Sequence, residues 1–347
     1  MKRSAGWLAA LLAGPVCAGC LGVRPSELPS EPIAFTYRAP EEARRRAEDM
    51  LAERARGREP ERVNRPGYND MYATADGVVD YLSRVLGRTQ GEDDRYPGRL
   101  ALLDPRSGEL TVVSAARRGS IPLDWSADHQ RLLFAQPGEA DFQIYEYERE
   151  QRTVRPVTYG PPAHTQGCYA ADGRVLVAAV DTRASPQQSH LELSERGGRH
   201  PFRAISEGPA DHSPTCAPDG DLAVFVRELG GGRAEIRSVR LDDPSAASQP
   251  LSPGQHPRFS YDGEWVAFAA PYQRQLRIWR IRPDGSGRAP IGRGVRHEAR
   301  PTFSPDGRVV VYVAAEDLPR RHLYLRRFDG SGDRILFADG DGEYPVW

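Results

Sequence analysis

Lysine is all but missing from this 347-residue chain: Lys2 stands alone, and every other one of its 47 basic residues is arginine. A Gly-x-x-x-x-Gly-Lys phosphate loop therefore cannot exist. A Gly-x-Ser-x-Gly nucleophile elbow and a His-Glu-x-x-His zinc helix are also absent, which removes the commonest signatures of a serine hydrolase or a zinc protease. Charge of one sign is lacking as well. The 47 basic residues face 48 acidic ones, a formal net charge of −1, whereas duplex binding calls for a net basic face, so nucleic acid is not the expected partner. Mean hydropathy is −0.59, and a polytopic membrane protein is excluded. What is plentiful is turn chemistry. There are 34 glycines and 30 prolines beside 8% aromatics, a balance that suits a turn-rich β protein rather than a disordered chain.

Cysteine is scarce, and its four positions divide cleanly. Met1-Lys2-Arg3 is a short basic start, and Ser4 to Val16 is a small, apolar run. Together with a small-residue site they form a secretory signal, too short to span a bilayer. The ending Cys17-Ala18-Gly19-Cys20 resembles a bacterial lipobox, which implies removal of residues 1–19 and acylation of Cys20; ordinary signal cleavage with Cys20 incidental is the alternative. Several acyl chains on one cysteine anchor firmly, because each buried methylene adds roughly 0.8 kcal/mol. Leu21 after the cysteine, by analogy with enteric sorting, implies an outer-membrane lipoprotein facing the periplasm, with lipid as its sole membrane contact. That leaves Cys168 and Cys216 as an even pair in an oxidising compartment.

In the mature chain, residues 20–40 are rich in Pro, Ser and Glu and read as a lipidated tether. Residues 41–95 read as a helical extension. Pro40-Glu41-Glu42 opens one helical stretch to about Arg56, and a second runs from Ala75 to Leu86 with Val78, Val79, Leu82, Val85 and Leu86 on one face.

From about residue 96 to 347 the texture becomes short β runs between turns, and it repeats. Trp125-Ser-Ala-Asp128, Tyr169-Ala-Ala-Asp172-Gly173, Cys216-Ala-Pro-Asp219-Gly220, Phe259-Ser-Tyr-Asp262-Gly263 and Phe303-Ser-Pro-Asp306-Gly307 each precede an apolar strand. Their aspartates are spaced 44, 47, 43 and 44 residues apart. Each copy reads as a strand, a tight Asp-Gly turn and a second strand, with a further strand pair later in the unit. Four strands per unit make a propeller blade. The terminal Tyr344-Pro-Val-Trp347 matches Arg300-Pro-Thr-Phe303, so the chain ends on the inner strand of a sixth blade. Arg99 to Leu103 and Glu109 to Val113 supply that blade's outer strands, and no second strand for it is evident. The expected fold is all-β: a six-bladed β-propeller closed by N- and C-terminal strands, with a short N-terminal helical extension. The Phe-Ser-Pro-Asp-Gly and Asp-Gly-Ser-Gly signatures resemble the periplasmic TolB-like repeat (the PD40, WD40-like class), which implies that propeller fold but does not by itself name an activity.

Candidate site residues gather where inner strands begin. His164, His212, His256 and His297 lie three to six residues before each strand-end aromatic or its Cys216 counterpart, and so enter the channel from one face with Arg300 and Glu343. Imidazoles on one rim suit a divalent transition metal, as in the oligogalacturonate lyases of this repeat class; otherwise no cofactor is expected and polar side chains line a wet funnel. Asp339 to Glu343 faintly suggests a calcium loop, or simply the lead into the closing strand. Cys168 and Cys216 sit on successive inner strands, either as a disulfide or as two buried small hydrophobes. The functional expectation is a lipid-anchored envelope propeller that binds an envelope protein non-catalytically through its channel face. That face includes residues 136–141, 181–188, 271–275 and 316–321. The alternative is a metal-dependent uronate-polymer lyase; the missing catalytic motifs weigh against an enzyme.

Overall fold

A computed structural model of the chain describes residues 22–55 and 97–347, apart from positions 140, 182, 184–187, 196–198, 207, 209, 231–232, 244–246, 273–274, 293–295 and 316–320. The signal segment, Cys20 and the helical pattern of residues 75–86 lie outside the described residues. No described helix is long and apolar enough to cross a membrane.

Six four-stranded antiparallel sheets form the body. Their innermost strands, in chain order for blades 1 to 5, are Ile121–Trp125, Ala163–Tyr169, Asp211–Cys216, Gln255–Phe259 and His297–Phe303, and Asp341–Val346 supplies that of blade 6. The Ser-x-Asp-Gly turns work as their chemistry dictates. In blade 5 the Asp306 carboxylate accepts from Ser304 Oγ at 2.6 Å and from Arg308 N at 3.1 Å, and Gly307 takes φ 69°.

Six hydrophobic clusters fill the six interfaces between neighbouring blades, so the core is a ring of seams rather than one centre. Between blades 3 and 4, for example, Val224, Val226 and Ile236 meet Phe259, Val266 and Phe268. A blade cannot bury both faces alone, and closing the ring removes the last exposed sheet edge.

Ring closure departs from expectation in one respect. The second strand of blade 6 is Ile33–Arg38, inside the stretch expected to be tether, paired with Asp341–Val346 on one side and Arg99–Leu103 on the other. All six of its residues are buried. Its residues do alternate, with Ile33, Phe35 and Tyr37 packed toward blade 5 and Ala34, Thr36 and Arg38 on the other face, but the run is only six residues long and lies inside a Pro-rich stretch. The propeller thus begins at Ile33 rather than near residue 96, and the helical segment is an insertion between the second and third strands of blade 6. Its helix runs Pro40–Ala55 with Glu41 and Glu42 in the first turn. Ala43, Ala47 and Arg46 are its buried side. Arg46, 1% exposed, reaches Asp341 at 3.3 Å, and Glu42 meets Arg118 at 2.8 Å. Asp341 begins one inner strand and Arg118 just precedes another, so the helix lies on the propeller face where the channel starts.

Candidate functional site

Every inner strand carries a β-bulge, and the bulges build the channel wall. Register shifts fall between Pro122 and Asp124, His164 and Gln166, His212 and Thr215, Gln255 and Arg258, Ala299 and Thr302, and opposite Tyr344 in blade 6. At four of them a residue other than glycine holds positive φ: Ser213 at 51°, His256 at 53°, Arg300 at 53° and Tyr344 at 55°. Each precedes a proline, whose ring disfavours the right-handed helical region for its neighbour. Such backbones are costly and concentrate at functional sites.

One residue per blade, three positions before the strand-end aromatic or its Cys216 counterpart, lines the channel: Pro122, Gln166, Ser213, His256, Arg300 and Tyr344. With their neighbours along the inner strands they line a pocket that opens to solvent. Arg300 stacks on the Tyr344 ring, 3.5 Å from guanidinium carbon to ring centroid. Gln166 Oε1 accepts from the Ser213 N–H at 2.5 Å. Burial, then the charges of Arg300 and His212, hold the His256 imidazole well below the usual histidine range.

The far end of the channel is bridged. Arg258 of blade 4 reaches Asp124 of blade 1, on the opposite side of the ring, at 3.0 Å, and its second nitrogen donates to Leu123 O at 2.7 Å. Beyond them Tyr261 of blade 4 stacks on His129 of blade 1, with centroids 5.3 Å apart and Oη and Nε2 at 2.9 Å, and its hydroxyl donates to Trp347 O. These four side chains are deviations from the repeat. His129 replaces the turn glycine at φ 53°, and Tyr261 replaces the Pro305 of blade 5. Burial pushes the Asp124 carboxyl up, against the pull of Arg258. With that end crossed by two contacts, the channel is a funnel open where the inner strands start.

The position of Asp124 also explains the cysteines. In three blades the residue before the strand-end aromatic or its Cys216 counterpart accepts the backbone N–H of the next blade's equivalent: Asp124 from Tyr169 at 3.0 Å, Thr215 from Phe259 at 3.2 Å and Thr302 from Trp347 at 3.1 Å. In blade 2 that residue is Cys168. It is disulfide-bonded to Cys216 of blade 3, Cα atoms 5.8 Å apart, so a covalent link stands where those three seams have a hydrogen bond.

Of the six expected channel residues, His256 and Arg300 line the funnel. His164 turns into the seam between blades 1 and 2, bonded to Gln143 at 3.1 Å and facing Glu192 at 3.6 Å. His212 pairs with Glu228 at 3.3 Å and Ser213 Oγ at 2.9 Å. His297 is half-buried, and burial lowers its affinity for a proton. Glu343 is buried against Arg38 at 2.5 Å and against Arg321. The offsets explain the scatter, because the four histidines sit at four different distances from the strand end and only His256 has the wall's spacing. Among the described residues no group of three or more His, Cys, Asp or Glu side chains is arranged to hold a metal, which removes the geometric basis for a four-histidine rim. Asp341 is committed to Arg46 and to the Arg321 N–H at 3.2 Å. Sequence reasoning missed Pro122, Gln166, Ser213 and Tyr344, although the residue preceding proline three before the aromatic was a usable signal for the last of them.

Comparison with known proteins places the fold. No family model matches the chain. A TolB-type protein from Agrobacterium tumefaciens is similar, with TM-score 0.58 and 23% identity over 70% of this chain and 88% of that one. TolB from Acinetobacter baumannii gives TM-score 0.64 and 16% identity over 93% and 68%. An uncharacterised protein of Agrobacterium fabrum is 29% identical over 147 residues, 38% of this chain and about half (49%) of that relative. At these identities the likeness establishes the TolB-like six-bladed propeller.

Proposed function

We propose that this protein is a lipid-anchored envelope propeller that binds a protein partner without catalysis, through the channel face. The observation that carries the reading is the funnel wall. Six bulges, one per blade, turn side chains of different chemistry toward one axis, four of them on a backbone that costs energy to hold. Repetition makes the scaffold, and variation at one repeated position makes a recognition surface. The helix Pro40–Ala55, inserted on the same face, adds a second element beside the mouth. The TolB-like fold supports a protein-binding role, and the lipobox-like Cys17 to Cys20 supports the envelope, with Cys20 as the lipidated residue.

The test is retention of an envelope protein by the purified propeller compared with its Tyr344→Ala and Arg300→Asn variants, alongside Ile335→Ala on the outermost strand of blade 5. Retention lost in the two channel variants and kept in the third is the expected result. A partner retained equally by all would place binding elsewhere. Anchoring is read separately, by mass spectrometry of the N-terminal peptide and its Cys20→Ser variant; an unacylated Cys20 would overturn that part.

A further inference from the structure

The chain enters the propeller on the face opposite the funnel mouth. Ile33–Arg38 runs antiparallel to Asp341–Val346, an inner strand that descends from the mouth to the bridged end, so the residues before Ile33 lie at the bridged end. They are held there. Val23 is 3% exposed and Leu28 1%, and both join the seam between blades 5 and 6 with Phe35, Leu325 and Phe337. Val23 lies against Gly332 and Gly22 runs beside Arg334, at the turn between the two outer strands of blade 5. Polar contacts fix the rest. Glu27 pairs with Arg327 at 3.0 Å, Leu28 O accepts from Arg106 Nε at 2.6 Å, and Glu31 O accepts from Trp347 Nε1 at 2.8 Å. Of the stretch read from sequence as a tether, only Cys20 and Leu21 precede the docked chain.

Two residues reach little. At 3.8 Å between successive Cα atoms, an acylated Cys20 lies no more than about 8 Å from Gly22. The inner strand Asp341–Val346 has six residues, and at about 3.3 Å each it separates the bridged end from the mouth by roughly 20 Å. A link that short cannot wrap round the ring to bring the mouth to the bilayer holding the lipid.

We propose that the propeller sits directly on its membrane, with the outer turn of blade 5 at the bridged end against the phospholipid headgroups and the funnel mouth facing away. The proposal rests on acylation of Cys20, and it adds which surface meets the lipid and where the mouth points. The chemistry beside the anchor suits headgroup phosphates. Arg24 is exposed, and its guanidinium meets no carboxylate among the described residues. Glu27 is committed to Arg327, and the Asp329 carboxylate folds back to accept from Ser331 N at 2.8 Å. A basic residue next to a lipid anchor is drawn to an anionic bilayer surface.

The test uses the full-length acylated protein on vesicles of phosphatidylethanolamine and phosphatidylglycerol that carry a nitroxide on some of their headgroups. A fluorophore is attached at Arg308→Cys, in the inner turn of blade 5 at the bridged end, or at Asp339→Cys, in the loop before the last inner strand at the mouth; both positions are exposed. Flotation and the mass of the N-terminal peptide report the anchor in each sample. Quenching is expected to be severalfold stronger at position 308 than at position 339. A Gly/Ser insertion after Leu21 of about ten residues, with a root-mean-square span of roughly 17 Å, should lower the quenching at position 308 while the protein still floats. Equal or stronger quenching at position 339 would overturn the orientation, and equally weak quenching at both would overturn the contact. An insertion without effect would overturn the role of the short link. In these three cases a floating, acylated protein leaves the anchoring reading standing. An unacylated Cys20 and a protein that stays off the vesicles would overturn the anchor and this proposal together.

Discussion

Truncating Phe35 to alanine is the sharpest probe of how the ring closes. The side chain is fully buried at the seam between blades 5 and 6, beside Tyr37, Val311, Val313, Leu323, Leu325, Phe337 and Trp347. Its ring centroid lies 5.1 Å from that of Phe337 and 6.2 Å from that of Tyr37. Removing a buried phenylalanine from such a setting costs about 3–5 kcal/mol, the transfer term plus the cavity left behind. That is a large share of the roughly 5–15 kcal/mol that holds a typical domain together. Urea unfolding followed by tryptophan fluorescence reads it, with Leu51→Ala as the control: Leu51 is 52% exposed on the inserted helix and should change stability by no more than about 0.5 kcal/mol. A Phe35→Ala loss below about 1 kcal/mol, well under the range for core phenylalanines, would mean that residues 33–38 are a tether and that the ring closes otherwise.

Three further outcomes are expected. Reducing the Cys168–Cys216 bond, which spans 48 residues, should lower the unfolding free energy by about 4 kcal/mol on the loop-entropy account, seen as a shifted urea midpoint in dithiothreitol; an unshifted midpoint would show the seam holding without it. Arg46→Ala leaves the 1%-exposed Asp341 carboxylate without its 3.3 Å partner and should cost about 3–5 kcal/mol, with faster proteolysis near Ala55; a neutral result would detach the helix from the channel face. Arg300→Asn should raise the His256 pKa, since it deletes a neighbouring positive charge, and imidazole NMR reads the shift. The sign for stability follows: with its folded pKa below 6.5, His256 binds fewer protons folded than unfolded, so stability falls as pH drops through the unfolded value. A His256 titration unchanged by the substitution would separate the two side chains.

The repeat was legible because turn chemistry recurs. Turn aspartates at near-constant spacing, four of the five followed by glycine, located the inner hairpins of five blades, and the Arg300 and Tyr344 segments, alike in sequence, showed where the sixth inner strand lay. The helix from Pro40 was legible for the same reason, its proline and acids marking a first turn. Ile33–Arg38 was not. It is six residues long, flanked by prolines, buried on both faces, and separated by the helical insertion from Arg99–Leu103, its neighbour in the sheet. Of the channel wall only His256 and Arg300 were legible. Histidines drew attention by type, while the structure selects by offset, and an offset shared by Pro122, Gln166, Ser213, His256, Arg300 and Tyr344 has no common chemistry to notice. The bridging residues were hidden differently: Asp124 and Arg258 lie far apart in the chain, and only the count of blades makes them opposite.

The central claim is that a partner protein occupies the funnel, and the most direct measurement is photo-crosslinking in intact cells. A photoreactive phenylalanine analogue placed at Tyr344 reports on the funnel wall, and the same analogue at Ile335, 43% exposed on the outermost strand of blade 5, is the reference. The expected result is a discrete protein adduct at position 344, lost in the Arg300→Asn background and absent at position 335. Adducts at position 335 with none at position 344 would contradict it.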